Sequence, residues 1–219
     1  MSNPEIGRVL RASTTGFAVG CRVGQLSIPA FGGLVKAQPV EAREAIYGLI
    51  YNMNIDDDPL VRRLVLAENP PVNVINDQRQ NRLLPIEMSI LAVGYKAGDE
   101  IQHGLPPRPP LNLDPVVLVK DLAEIRTFTA PRSFGDGERL GYLRLILRNV
   151  GTAVPVDQLL VAHIVNMYEL RGHDVAWAVE AVQELIELLR SSYDILIPTM
   201  EALSDALPDL TPVLTPPAT

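Results

Sequence analysis

Few residues in this sequence are of types and spacings that do chemistry. Asp56, Asp57 and Asp58 in NIDDDPL offer hard oxygen ligands of the kind that hold magnesium or calcium. The same triplet reads more simply as a solvated turn, with Asp58 capping a helix whose first position is Pro59. The run GDGERLG, Gly135 to Gly141, superficially resembles a dinucleotide-binding loop, but its third glycine falls one residue late and a linker precedes it instead of a strand. It reads as a helix entry. His103, His163 and His173 are the only histidines; no HExxH spacing exists, and a metal pair from His163 and His173 needs ligands from elsewhere. Cys21, between Val19 and Val23, reads as a small apolar filler, and as a nucleophile only with a histidine beside it.

Arg62, Arg63, Arg79 and Arg82 form a basic strip that suits nucleic acid or an acidic partner, although no aromatic side chain stands among them to stack on bases. Trp177, Tyr168 and Tyr193 read as packing residues of a helical core, equally placed to face another subunit. The four arginines, Trp177 and Tyr193 are therefore the candidate interaction residues. No catalytic, metal-binding or cofactor-binding residue is assigned.

Composition narrows the function classes. In 219 residues, 47% are hydrophobic and 21% charged, as in an ordinary globular protein, and the length accommodates two modest domains. A net charge of -7 gives no general reason for binding a phosphate backbone. One cysteine allows neither an intrachain disulfide nor a cysteine zinc cage, which fits a reducing compartment. The N-terminus does not read as a leader, and no apolar run approaches the roughly 18 residues of a membrane helix. A cytoplasmic location is expected.

Residues 5–53 read as short strands punctuated by Gly, Pro and small polar residues, the walls of a small barrel. Gly7 and Gly48 sit inside β-branched and aliphatic runs, where a glycine marks a bulge or sharp bend. Gly24, Gly32 and Gly33 fit turns. Residues 54–85 break the pattern with an acidic turn, a short helix near Leu60 to Leu66 and a Pro/Asn-rich connection, an insertion in the barrel. IEMSILAVGY, Ile86 to Tyr95, alternates as a strand with one clearly apolar face, and VVLVK is another strand. Between them LPPRPPLNLDP favours an extended bridge over one barrel end. DLAEIRTF closes the strand-rich half. Beyond Arg132 the pattern turns helical: Glu138 to Val150 stopped by Gly151, Pro155 to Arg171 stopped by Gly172, then an amphipathic helix capped by Asp174. Pro198 is expected to kink or interrupt the continuation toward Leu207, and the last residues read as a flexible tail. Three helices on a barrel offer limited cover for Leu143, Leu145, Ile146, Val161, Ile164, Val165, Ile186 and Leu189, so part of that surface is expected to meet a partner.

The opening IGRVL with GFAVGCRV, the segment IYGLIYNM, and the run from IEMSILAVGY through the proline bridge to VVLV stand in the order of the HAS barrel, which they resemble. That barrel is shared by HerA-type DNA translocases and rotary ATP synthase subunits. The resemblance covers roughly residues 5–128 apart from 54–85 and leaves the helices outside. It implies a ring-forming or partner-docking collar. The ATPase that such a barrel accompanies is not implied here, because the chain has no Gly-Lys dipeptide and hence no phosphate-cradling GxxxxGK[ST] loop. The expected fold is α+β: a closed antiparallel β-barrel over 1–131 with its insertion at about 54–85, a helical domain over 132–207 and a tail over 208–219. The expected function is non-enzymatic homo-oligomerisation and docking, beside a HerA-like ATPase or another protein. The alternatives are a nucleic-acid-binding accessory factor, or a ligand-binding protein or enzyme with a site between barrel and helices.

Overall fold

The computed structural model describes residues 3–24, 29–40, 44–55, 59–81, 83–134 and 137–208. Its first half is a closed, six-stranded antiparallel barrel. The strands are β1 (Glu5–Ala12), β2 (Gly16–Gly24), β3 (Leu34–Ala37), β4 (Ala45–Ile55), β5 (Leu83–Ala97) and, after the short hairpin strand β6 (Glu100–Gln102), β7 (Pro115–Leu118). Around the barrel the order is β2-β1-β7-β3-β4-β5, and β5 closes the ring by pairing with β2 from Gly16↔Leu91 to Gly24↔Leu83. Closure removes the exposed strand edges that an open sheet of this size would carry.

The expected glycine positions coincide with irregular pairing. The register shifts between Glu5 and Gly7 against β7, and between Tyr47 and Gly48 against β5. Gly48 is required by close approach: a Cβ there would lie 2.3 Å from Ile90 Cγ2 and 2.8 Å from the Leu91 carbonyl oxygen. Gly32 is required by conformation, with φ of 78° in the turn before β3.

Between β4 and β5 the chain leaves the barrel as two helices, α1 (Pro59–Leu66) and α2 (Val72–Asn81). The first matches the helical piece expected there; the second falls on the stretch read as a connection. The proline bridge runs beside the β3–β4 connection, where Arg108 Nη2 lies 3.0 Å from Glu44 Oε1.

After β7 come α3 (Leu122–Phe128), the hairpin β8 (Arg132–Phe134) and β9 (Gly137–Arg139), then α4 (Gly141–Leu147), α5 (Val156–Leu170), α6 (Val175–Leu189) and α7 (Tyr193–Ala206). The segment DLAEIRTF is thus a helix, capped by Asp121, whose carboxylate accepts from the Glu124 N–H at 3.0 Å. The helix expected from Glu138 starts only at Gly141, because Gly137–Arg139 pairs back on Arg132–Phe134 as a β-hairpin. Asp174 caps α6, as its position predicts, and Gly172 follows α5 with φ of 77°. Pro198 does not interrupt α7. The buried Thr199 donates its hydroxyl to the Ile195 carbonyl at 2.7 Å, and Leu203 and Leu207 anchor the far end in the core. Residues 209–219, which cover nearly all of the expected tail, lie outside the described residues.

The core has two parts divided by the barrel wall. Val9, Val19, Val35, Ile46, Ile50, Met88, Ile90 and Val116 fill the barrel. Leu34, Tyr47, Leu49, Leu91 and Val93 point outward from the same strands and pack under the helices. Strand β5 is therefore apolar on both faces over Ile90–Val93, not on one face as its alternation implies. The helices also have more internal cover than expected: Leu143, Leu145, Ile146, Ile164 and Leu189 are buried against the wall and one another, and Ile186 alone of the eight is exposed.

Gly48→Ala places its methyl against a backbone carbonyl and a core isoleucine. The expected result in urea unfolding is a loss of about 1–3 kcal/mol, the usual cost of overpacking a tight core.

Candidate functional site

The structure distributes the candidate interaction residues over unlike environments. Arg62 and Arg63 are exposed on α1. Arg79 lies on α2, with only its backbone described, and Arg82 lies outside the described residues, as do Asp56, Asp57 and Asp58. Tyr193 is 66% exposed at the start of α7. Trp177 faces inward at 2%. Its indole N–H donates to the Thr129 carbonyl at 2.9 Å, and the Arg171 guanidinium lies 5.1 Å from its ring centroid. Arg171 also donates to Thr129 Oγ1 at 2.8 Å and to Asp174 Oδ2 at 2.7 Å. Trp177 is thus a latch that ties α5 and α6 to the end of α3.

The arm formed by α1 and α2 is the least covered part of the described chain. Val65, Leu66 and Val72 are 75%, 77% and 70% exposed, and Val61 and Ile55 are exposed beside them. Helix α1 spans 8 residues. An isolated helix of fewer than about 12–15 residues is marginal in water, and most helix stability in proteins comes from a packed apolar face.

The seam between barrel and helices, by contrast, is fully built. Tyr47, Phe128 and Tyr142 form a run of rings with centroids 4.7 and 5.2 Å apart, flanked by His103 and His163. His163 on α5 is completely buried. Its Nδ1 lies 3.2 Å from the Gly32 carbonyl oxygen and its Nε2 3.3 Å from the Tyr142 hydroxyl, so a neutral ring with the proton on Nδ1 donates to Gly32 and accepts from Tyr142. Burial pushes His163 down to about 4 and pushes the Tyr142 hydroxyl up. His103 is held at about 4 by burial, which outweighs its 2.8 Å hydrogen bond to the Phe128 carbonyl, with Arg132 acting in the same direction as burial. Burial pushes the Glu124 carboxyl up, but hydrogen bonds from Lys36, Tyr47 and Asn3 together hold it below the usual range. These groups clip α3 and the N-terminal segment to the barrel. His163, Tyr142, Tyr47 and Glu124 are enclosed and mutually satisfied, so their chemistry is structural, whereas His103 keeps a buried Nδ1 without a hydrogen-bond partner.

The sequence offers a site between barrel and helices as an alternative but does not point to the residues of a concave feature found there. A cavity of about 420 Å³ opens where the chain after β6 meets the β8–β9 hairpin, α4 and α6, lined by His103, Arg132, Arg139, Arg144, Arg148 and Glu184 among others. The local signal was present, since Arg132 to Arg148 holds four arginines against Asp136 and Glu138 in an otherwise acidic chain. Their convergence depends on the hairpin, over a stretch whose sequence reads as a turn-rich linker and, from Glu138, the start of a helix.

Among the described residues, no three His, Cys, Asp or Glu side chains gather as a metal site, and no helix is long and apolar enough to cross a membrane. The chain matches no model of a known protein family, and no curated protein matches it.

The two buried imidazoles make stability pH-dependent. Unfolded histidine binds its proton near pH 6.5, whereas the folded rings resist until about 4, so the unfolded state gains protons first as pH falls. Their contribution is full above pH 6.5 and is lost on descending toward 4. The urea midpoint is expected to fall between about pH 7 and 5, and His103→Gln/His163→Gln to flatten that slope. A midpoint that stays level in the wild type contradicts the neutral-ring assignment.

Proposed function

We propose that this chain is a non-enzymatic docking protein that assembles with further copies of itself through the α1–α2 arm. The observation that carries the reading is the uncovered apolar surface of Val65, Leu66 and Val72 on an arm whose first helix is too short to stand alone. The barrel and helical layer leave Leu10, Leu113, Ile186, Tyr193 and Ile197 exposed, but Val65, Leu66 and Val72 on the arm are more exposed than any of these, so the arm is where a partner contributes most. Charge favours a second copy as that partner. Residues 59–81 carry three arginines against Glu68 and Asp77, whereas the whole chain has a net charge of -7. An arm of one copy on the acidic body of another is a heterologous contact that closes into a ring when the rotation permits.

The resemblance to the HAS barrel, carried by the strand segments and by barrel closure, extends this proposal to a collar that docks beside a HerA-like ATPase. The single cysteine supports a reducing, intracellular setting. Exposed Arg62 and Arg63 then act as partner-steering charges; with no aromatic residue on the arm, they lack the stacking platform that single-stranded nucleic acid uses.

Sedimentation velocity from about 1 to 100 μM is expected to show species larger than a monomer, and Val65→Glu/Leu66→Glu to return the mass to that of one chain with an unchanged circular dichroism spectrum. A wild-type protein that stays monomeric throughout that range removes the self-assembly reading.

A further inference from the structure

The arginine-lined cleft lies between the barrel and the helices, away from the arm, and stands whether or not the chain assembles. Its cavity of about 420 Å³ falls within the range of roughly 300–1,000 Å³ typical of small-molecule sites. Among the described residues the charged lining is unbalanced, with Arg132, Arg139, Arg144 and Arg148 against the single carboxylate of Glu184. Like charges held around a recess repel one another and are stabilised by an anion among them. Arg132 is engaged, donating to the Thr127 carbonyl at 3.0 Å. Arg139 and Arg148 make no side-chain hydrogen bond or ion pair among the described residues.

The cavity presents acceptors as well as donors. Glu184 Oε1 and His103 Nδ1 are each buried without a hydrogen-bond partner. The 2.8 Å contact with the Phe128 carbonyl places the His103 proton on Nε2 in preference to acceptance there from Arg132 Nε at 3.4 Å, so Nδ1 offers a lone pair. A buried acceptor left unsatisfied costs free energy that a hydroxyl donor relieves. Guanidinium forks match phosphate oxygens. Among the described residues no aromatic side chain other than the His103 imidazole lines the cavity to stack on a nucleobase; Leu105 and Leu145 supply its apolar wall.

We infer that this cleft binds a phosphorylated sugar or polyol, its phosphate held by Arg139, Arg144 and Arg148 and its hydroxyl groups by Glu184 and His103. The recessed shape selects a small ester over a nucleic acid backbone, which tracks an open basic groove.

Isothermal titration calorimetry on the full chain tests this with glucose phosphorylated on its terminal hydroxymethyl, glycerol phosphate, glucose, inorganic phosphate and a single-stranded oligonucleotide. At least one of the two esters is expected to bind at least about tenfold more tightly than inorganic phosphate, and glucose not at all. Arg139→Ala/Arg148→Ala is expected to weaken ester binding by about tenfold or more, and the near-isosteric Glu184→Gln to narrow the preference for ester over inorganic phosphate. Circular dichroism confirms that each variant is folded. Absence of ester binding up to about 10 mM, or affinity unchanged in the arginine variant, overturns the site. Equal binding of ester and inorganic phosphate overturns the sugar assignment, and oligonucleotide binding that is lost in the arginine variant, with no ester binding, reassigns the cleft to nucleic acid.

Discussion

The barrel wall made by β3, β4 and β5 is apolar on both faces, and the rest of the molecule follows from that constraint. Inward, Val35, Ile46, Ile50, Ile90 and Ala92 close the barrel; outward, Leu34, Tyr47, Leu49, Leu91 and Val93 need a second layer. Each such side chain contributes roughly 1.5–3 kcal/mol when removed from water, so a barrel stripped of its helices would leave a large share of its stability unrealised. Helices α3, α4 and α5 meet that wall through Phe128, Leu143 and His163 and their neighbours, and α6 and α7 pack onto α5 to complete the same core.

Burial on that scale sets strict terms for any polar group in the seam. His163, Tyr142, Tyr47 and Glu124 each find hydrogen-bond partners within the molecule, because a buried polar atom without one costs more than a paired one returns. The two places where this completeness lapses are different in kind. On the arm, apolar side chains face water; in the arginine cleft, Arg139 and Arg148 make no side-chain hydrogen bond or ion pair among the described residues, and Glu184 Oε1 and His103 Nδ1 are buried without a hydrogen-bond partner. The arm suits protein contact, and the cleft suits a small anion.

Much of the first half was legible before the fold was known. Gly7 and Gly48 signalled irregular pairing because only a residue without Cβ tolerates the approach of a neighbouring strand, and the coordinates place Ile90 and the Leu91 carbonyl against Gly48. The caps at Asp174 and the stop at Gly172 were legible for an equally local reason, since capping chemistry lies within a few residues of chain. The β8–β9 hairpin was not legible. Three residues per strand are too few for alternation to stand out, and the sequence GDGERLG also suits a helix entry. Misreading it hid the cleft, whose arginines come from both the hairpin and α4.

The sequence by itself determined a closed strand-rich half, a helical half, an insertion carrying a short helix, and the lack of a Gly-Lys phosphate loop, because these depend on local periodicity, turn chemistry and residue identity. Only the tertiary structure decided that Trp177 is an internal latch, that the helical faces are spent on the barrel wall, and that the arm keeps its apolar side exposed. It alone brought Arg139, Arg148, His103 and Glu184 to one cavity. Those outcomes depend on which surfaces meet across separations from 48 to 131 residues of chain, and spacing along the sequence does not encode such contacts.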